Sequence, residues 1–221
     1  MLISEVADLF RTYMDEPDQT FVNDTLVSTW LLRAYDDFRC MVTEIDPTIY
    51  SASQTYTLAA ARKLDLATAA VPILGSTADP RMYQIVNIYE VEASNTDSAL
   101  RMLVPSTSLK STYDARADYN LRGSELVFNG ELTMTIRVDF IPEPTAAQTA
   151  AWNVLGASYI DDLNRFHDII ALVAYLQYAI VDSADNTQLV ALLGRRQQQL
   201  MAYLENRSGG VVESVVDVRW M

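Results

Sequence analysis

The chain has 221 residues, half of them apolar, and carries 29 acidic against 16 basic side chains for a net charge of −13. That length supports a substantial buried core, while the charge, which no Lys/Arg cluster offsets locally, works against a grip on nucleic acid or an anionic membrane. Cys40 is the one cysteine, which excludes an intrachain disulfide or a thiolate metal site and fits a reducing compartment. No stretch approaches the roughly 18 uninterrupted apolar residues of a membrane span, and the start lacks a basic, then apolar leader, so the expectation is a soluble, unprocessed protein.

Ser4 and Glu5 open a first helix in which Val6, Leu9, Phe10 and Tyr13 line one side, and Asp15, Glu16 and Pro17 close it. Asn23 or Asp24 caps a second, whose Val27, Trp30, Leu31, Ala34, Phe38, Met41 and Val42 keep helical spacing until Asp46-Pro47. From Tyr50 to Pro144 the period falls towards 2 and Tyr, Thr, Val and Ile are enriched, which predicts strands. The clearest is Leu132–Phe140, with Leu132, Met134, Ile136, Val138 and Phe140 on one face. Asn129-Gly130 reads as a hairpin turn joining it to Leu126–Phe128, because both residues tolerate positive φ. A second turn, Gly123-Ser124, leads back to Tyr119–Arg122; Gln84–Glu92, Leu100–Val104 and the weaker Gln54–Leu58 complete the set.

Pro142 and Pro144 end the strands, and residues 146–158 form an Ala-rich connector anchored by Trp152. Asp161 or Asp162 is placed to cap a third helix of roughly 20 residues, with Leu163, Phe166, Ile169, Ile170, Val173, Leu176 and Ile180 at helical spacing. Asp182 to Asn186 interrupts it, and a fourth helix from about Thr187 carries Leu189, Leu192, Leu193, Leu200, Tyr203 and Leu204. The run Asn206-Arg207-Ser208-Gly209-Gly210 reads as a stop and hinge, followed by an apolar, β-prone tail of Val211, Val212, Val215, Val216, Val218, Trp220 and Met221. The predicted class is α+β. Residues 1–48 and 159–207 supply the N-terminal and C-terminal helix pairs of an antiparallel bundle, 49–145 a small inserted antiparallel β region, 146–158 the connector and 208–221 an extended C-terminal arm.

Catalytic motifs are missing: there is no phosphate-binding glycine loop, nucleophile elbow, H-E-x-x-H or EF-hand pattern. Asp161, Asp162, His167 and Asp168 are the one cluster that could serve a metal-dependent hydrolase. Adjacent positions on a helix point about 100° apart, so caps plus a helix-face histidine account better for these four. Tyr175 and Tyr178 lie off the apolar stripe and fit a core edge or a subunit contact more readily than ligand stacking. Cys40 reads as a small buried apolar residue rather than a nucleophile. A β region forming a pocket in a monomeric ligand-binding module is a further alternative.

The layout of two helices, a β insertion with a Pro-bounded last strand, two more helices and a terminal arm resembles the head-to-tail adaptor (connector) proteins of tailed bacteriophages. The points of likeness are Trp30-Leu31-Leu32-Arg33-Ala34-Tyr35-Asp36-Asp37-Phe38, the strand end Val138-Asp139-Phe140-Ile141-Pro142, and Arg165-Phe166-His167-Asp168 at the third helix. The resemblance implies a structural protein of the virion neck, made in the host cytoplasm and assembled as a closed ring of about twelve copies beneath the portal. It implies no enzyme activity and no cofactor. Its partners would be the portal protein, further neck or tail proteins and identical subunits, with DNA passing through the lumen without specific binding and with no membrane contact. The implied portal- or neighbour-binding residues are those of the arm: Val211, Val212, Val215, Val216, Val218, Trp220 and Met221.

Overall fold

A computed structural model describes residues 1–15, 22–67, 82–92, 95–105, 118–182 and 186–212. The chain divides into two compact units, one formed by Met1–Ile49 with Ala146–Met221 and the other by Tyr50–Thr145. The elements of the helical unit are α1 (Ile3–Tyr13), α2 (Asp24–Ile45), α3 (Ala146–Asn153), α4 (Asp168–Asp182) and α5 (Thr187–Val212). The sheet unit holds β1 (Ala52–Asp65), β2 (Met82–Glu92), β3 (Asn95–Met102), β4 (Tyr119–Arg122) and β5 (Glu125–Pro142).

α1 begins one residue before Ser4, and neither Ser4 nor Leu2 caps it with a side chain. Its first N–H groups are satisfied by the chain instead: Ile3 donates to the Ser158 carbonyl at 3.0 Å and Ser4 to that of Gly156 at 3.1 Å. Glu5 reaches back to the Leu2 N–H at 2.7 Å. α2 is capped by Asn23, whose side chain accepts from the Leu26 N–H at 3.0 Å. Val27, Leu31, Ala34, Tyr35, Phe38 and Val42 form its buried face. The connector contains a helix, α3, which the sequence leaves unassigned; Trp152 is buried there against the Tyr35 ring at 5.1 Å between centroids.

The pairings between these strands are antiparallel, in the order β1-β5-β2-β3, with β4 also on β5. β1 runs along one edge of β5, from Ala52↔Phe140 to Asp65↔Glu125. The other edge is shared by β4, opposite 125–128, and β2, opposite 135–142. Alternation along β5 sends Leu126, Phe128, Ile136, Val138 and Phe140 into a core with Tyr56, Leu58, Leu66, Ile88, Leu103 and Tyr119. The Gly123-Ser124 turn joins β4 to β5, and Gly123 sits at φ +61, where an L side chain would be strained.

These facts correct the expectation of a small β region inserted in a helical bundle. The fold is α+β, but among the described residues the sheet has five strands, two of them 14 and 18 residues long, and a core of its own. The expected strand Gln54–Leu58 extends to Asp65 as β1, and Leu126–Phe128 and Leu132–Phe140 are parts of one strand, β5, that ends at Pro142. Asn129-Gly130 is not a hairpin turn: β5 passes through it without reversing, and the register against β1 shifts between Lys63↔Val127 and Ala61↔Leu132. The extra residues of β5 opposite Arg62 form a bulge, held by the Asn129 N–H on the Asp118 carbonyl at 3.1 Å and by Arg62 beside Glu131 at 3.4 Å. In β1 the run Ala59-Ala60-Ala61 carries a second irregularity, with Ala60 at φ +50 and its N–H on Thr133 Oγ1 at 3.1 Å.

Candidate functional site

The residues singled out in the sequence converge on the helical unit, around the start of α4 and along α5. The roughly 20-residue third helix starts later than its acidic pair predicts, at Asp168. Asp161 does not cap it. One Asp161 oxygen accepts from the Leu163 N–H at 2.8 Å and lies 2.6 Å from His167 Nε2, closing a turn that includes the 3-10 segment Asn164–Phe166. His167 is fully buried, with Phe38 edge-on at 6.1 Å, and its Nδ1 has no hydrogen-bond partner among the described residues. Leu163 and Phe166 are buried as expected, though from this turn rather than from the helix.

Asp168 faces another way. Arg196 of α5 donates to both of its oxygens, Nε to Oδ2 at 2.6 Å and Nη2 to Oδ1 at 2.7 Å, in a bidentate pair that pushes the guanidinium pKa up. The same Arg196 donates to the Arg165 carbonyl and to Gln199 Oε1, and lies 5.5 Å above the Phe166 ring. Arg196, which helical spacing leaves off the apolar side of α5, where solvent or a neighbouring subunit is expected, is therefore the clamp that fastens α5 to α4. Leu200 and Leu204 close the seam beside it, with Tyr203 against Phe166 at 5.4 Å. Among the described residues no three His, Cys, Asp or Glu side chains come together as a metal site: Asp161 faces His167 while Asp168 is taken by Arg196.

Tyr175 and Tyr178 complete a core edge inside the unit. Tyr178 meets Phe10 edge-on at 6.4 Å and Tyr175 meets Tyr13 at 6.2 Å, so α1 covers them. Cys40 is half-buried on α2. The predicted helix stop at 206–210 is overturned: α5 runs on through Gly209 and Gly210 to Val212. Glycine in a helix interior costs about 1 kcal/mol, which is too little to end a helix already docked through Leu200 and Leu204. Val211 and Val212 thus belong to the last helical turn, while Val215, Val216, Val218, Trp220 and Met221 lie outside the described residues.

α5 is the element that its own unit covers least. In 26 residues, the buried side chains among those described are Leu200 and Leu204, and Val190 and Met201 are 55% and 44% exposed. On the opposite side of α4, a second feature was missed in the sequence. Trp30, Arg33, Asp36 and Asp37 of α2 and Gln177 of α4 line an open depression of about 520 Å3. Arg33 lies 5.5 Å above the Trp30 ring, and Gln177 Nε2 donates to Asp37 Oδ2 at 2.7 Å. The 3-4 spacing of Trp30, Arg33 and Asp37 signals one exposed helix face, but the indole alone draws attention towards the core. No described helix is long and apolar enough to cross a membrane. Compared with known proteins, the sequence matches no family model and no curated protein.

Proposed function

We propose that this chain is a structural virion protein, a head-to-tail adaptor that forms a ring below the portal, joins capsid to tail and lets DNA pass. The observation that carries the reading is α5: a 26-residue helix fastened at its middle by Arg196, mostly uncovered elsewhere, and leading directly into the apolar tail. Such a helix makes sense where neighbouring chains cover what one copy leaves open. The net charge of −13 suits a wall that lines a DNA passage without holding the cargo. In this reading Val211 and Val212 present the start of the arm from a helical base, and Val215, Val216, Val218, Trp220 and Met221 dock on the portal or a neighbouring subunit.

Removing Gly209–Met221 tests it. The shortened chain is expected to keep its circular dichroism and thermal midpoint, because the clamp and the Leu200–Leu204 seam lie before the cut. Capture by portal protein in a pull-down is expected to disappear, and capture at the level of the full chain overturns the reading.

A further inference from the structure

We infer that copies of this chain contact one another through α5 of one and the α2 depression of the next, with Arg195 entering beside Trp30 and Asp37. The inference rests on the ring reading above and names the contact that closes it. Charge separates the two faces. α5 carries Arg195, Arg196 and Arg207 against Glu205 alone, in a chain that is otherwise strongly acidic. Arg196 is engaged by Asp168, but Arg195 and Arg207 are exposed and make no ion pair among the described residues.

Arg195 is also placed for the contact. Ala191, Arg195, Gln198 and Ala202 follow a 4-3-4 spacing on the side of α5 away from Leu200 and Leu204, and Ala191, Arg195 and Ala202 are exposed. Short neighbours on either side let another surface approach closely and leave the guanidinium standing above it. The depression matches this knob. Gln177 holds one oxygen of Asp37, the other has no hydrogen-bond donor among the described residues, and Asp36 adds a second carboxylate at the rim. A planar guanidinium can donate to the open Asp37 oxygen at the edge of the half-buried Trp30, whose ring Arg33 of the same helix already covers at 5.5 Å. The two faces differ, so the contact is heterologous, and repetition of one such contact generates a ring when its rotation closes.

The test uses two full-length chains with Cys40→Ser, one carrying Asp37→Cys and the other Arg195→Cys, distinguished by tags of different size. Mixed at high concentration under mild oxidation, they are expected to give the mixed disulfide dimer in preference to either homodimer. As a second measurement, Asp37→Arg and Arg195→Asp should each reduce self-association in light scattering, and the two combined in one chain should restore it. Absence of the mixed dimer, or no rescue by the combined exchange, overturns this contact. If rings still form in that case, the contact fails while the adaptor reading stands; loss of the reading itself is read separately, from portal capture by the full chain.

Discussion

The helical unit and the sheet unit solve the same problem with different bonds. Six of the buried polar or charged residues described, Arg11, Ser28, Arg39, Thr43, Asp46 and His167, lie in the helical unit, against Thr135 alone in the sheet unit. Away from its ends a helix satisfies its backbone internally, so a polar contact from a helix interior to a neighbouring element has to start from a side chain. Arg11 illustrates this, donating to the Val22 carbonyl at 3.1 Å and to Asp24 at 2.6 Å and so tying α1 to the start of α2. Arg196 does the same for α5 and α4. In the sheet the backbone ladder is itself the tertiary contact, and ion pairs such as Lys63 with Glu125 at 2.8 Å sit on its exposed rim, where they add little.

The contrast can be broken most forcefully through the cores. Phe38→Ala empties a fully buried site beside His167 and should cost about 3–5 kcal/mol in the helical unit. Tyr50–Thr145 contains no tryptophan, so with Trp220→Phe as the background, emission from Trp30 and Trp152 reports the helical unit. Ile136→Ala should instead cost about 2–5 kcal/mol in the sheet. In denaturant titrations the first variant is expected to move the emission midpoint further than the second; equal movement of that midpoint would erase the distinction between the units.

A smaller effect is expected in alkali. Burial pushes the Tyr35 phenol from its ordinary value of 10.0 up to about 12, partly countered by nearby Arg39. A folded-state pKa above the unfolded one means that the native state holds the proton more tightly. The stability is therefore whole below pH 10.0 and declines as pH rises to about 12. For a two-unit gap this amounts to about 3 kcal/mol. Tyr35→Phe should flatten that decline in the emission-detected stability, and an unaltered alkaline slope would refute the assignment.

The mildest changes compare two glycines of the sheet. Gly123→Ala forces a side chain into positive φ at a true turn and should cost about 1–2 kcal/mol. Gly130→Ala meets nothing within 4 Å and no positive φ, and should stabilise the strand by about 0.5–1 kcal/mol. Thermal melts followed in the far ultraviolet read both, and opposite signs are expected. A loss at Gly130 comparable to that at Gly123 would restore a turn at Asn129-Gly130.

Where one interaction dominates, the sequence reads correctly. The alternation from Leu132 to Phe140, the Gly123-Ser124 turn and the Asn23 cap all announce themselves locally and appear as expected. Misreadings cluster where a distant partner overrides a local preference. Alanines are poor strand formers, yet β1 continues past Ala59 and Ala60 because pairing with β5 resumes at Ala61↔Leu132. Asn129-Gly130 favours a reversal, but pairing on either side of it keeps β5 going. Asp161 looks like a cap until His167 claims it, and Ser208-Gly209-Gly210 looks like a stop although α5 is already docked. The Arg196 clamp and the Trp30–Asp37 depression each join residues from two helices, so no spacing rule within one segment reveals them.

The topology of β5 bears on how a ribosome delivers this protein. Thr55 cannot find its mate until Arg137 has been synthesised, and α1 and α2 must likewise wait for α4, which is translated after the whole sheet. Most of the nascent polypeptide therefore emerges with its greasy faces uncovered, and acquires its partners late and almost together. Such long-range closure favours slow maturation and dependence on chaperones. Moving the α4–α5 pair ahead of α1 by circular permutation would shorten the wait for one half of the molecule while leaving the other half unchanged.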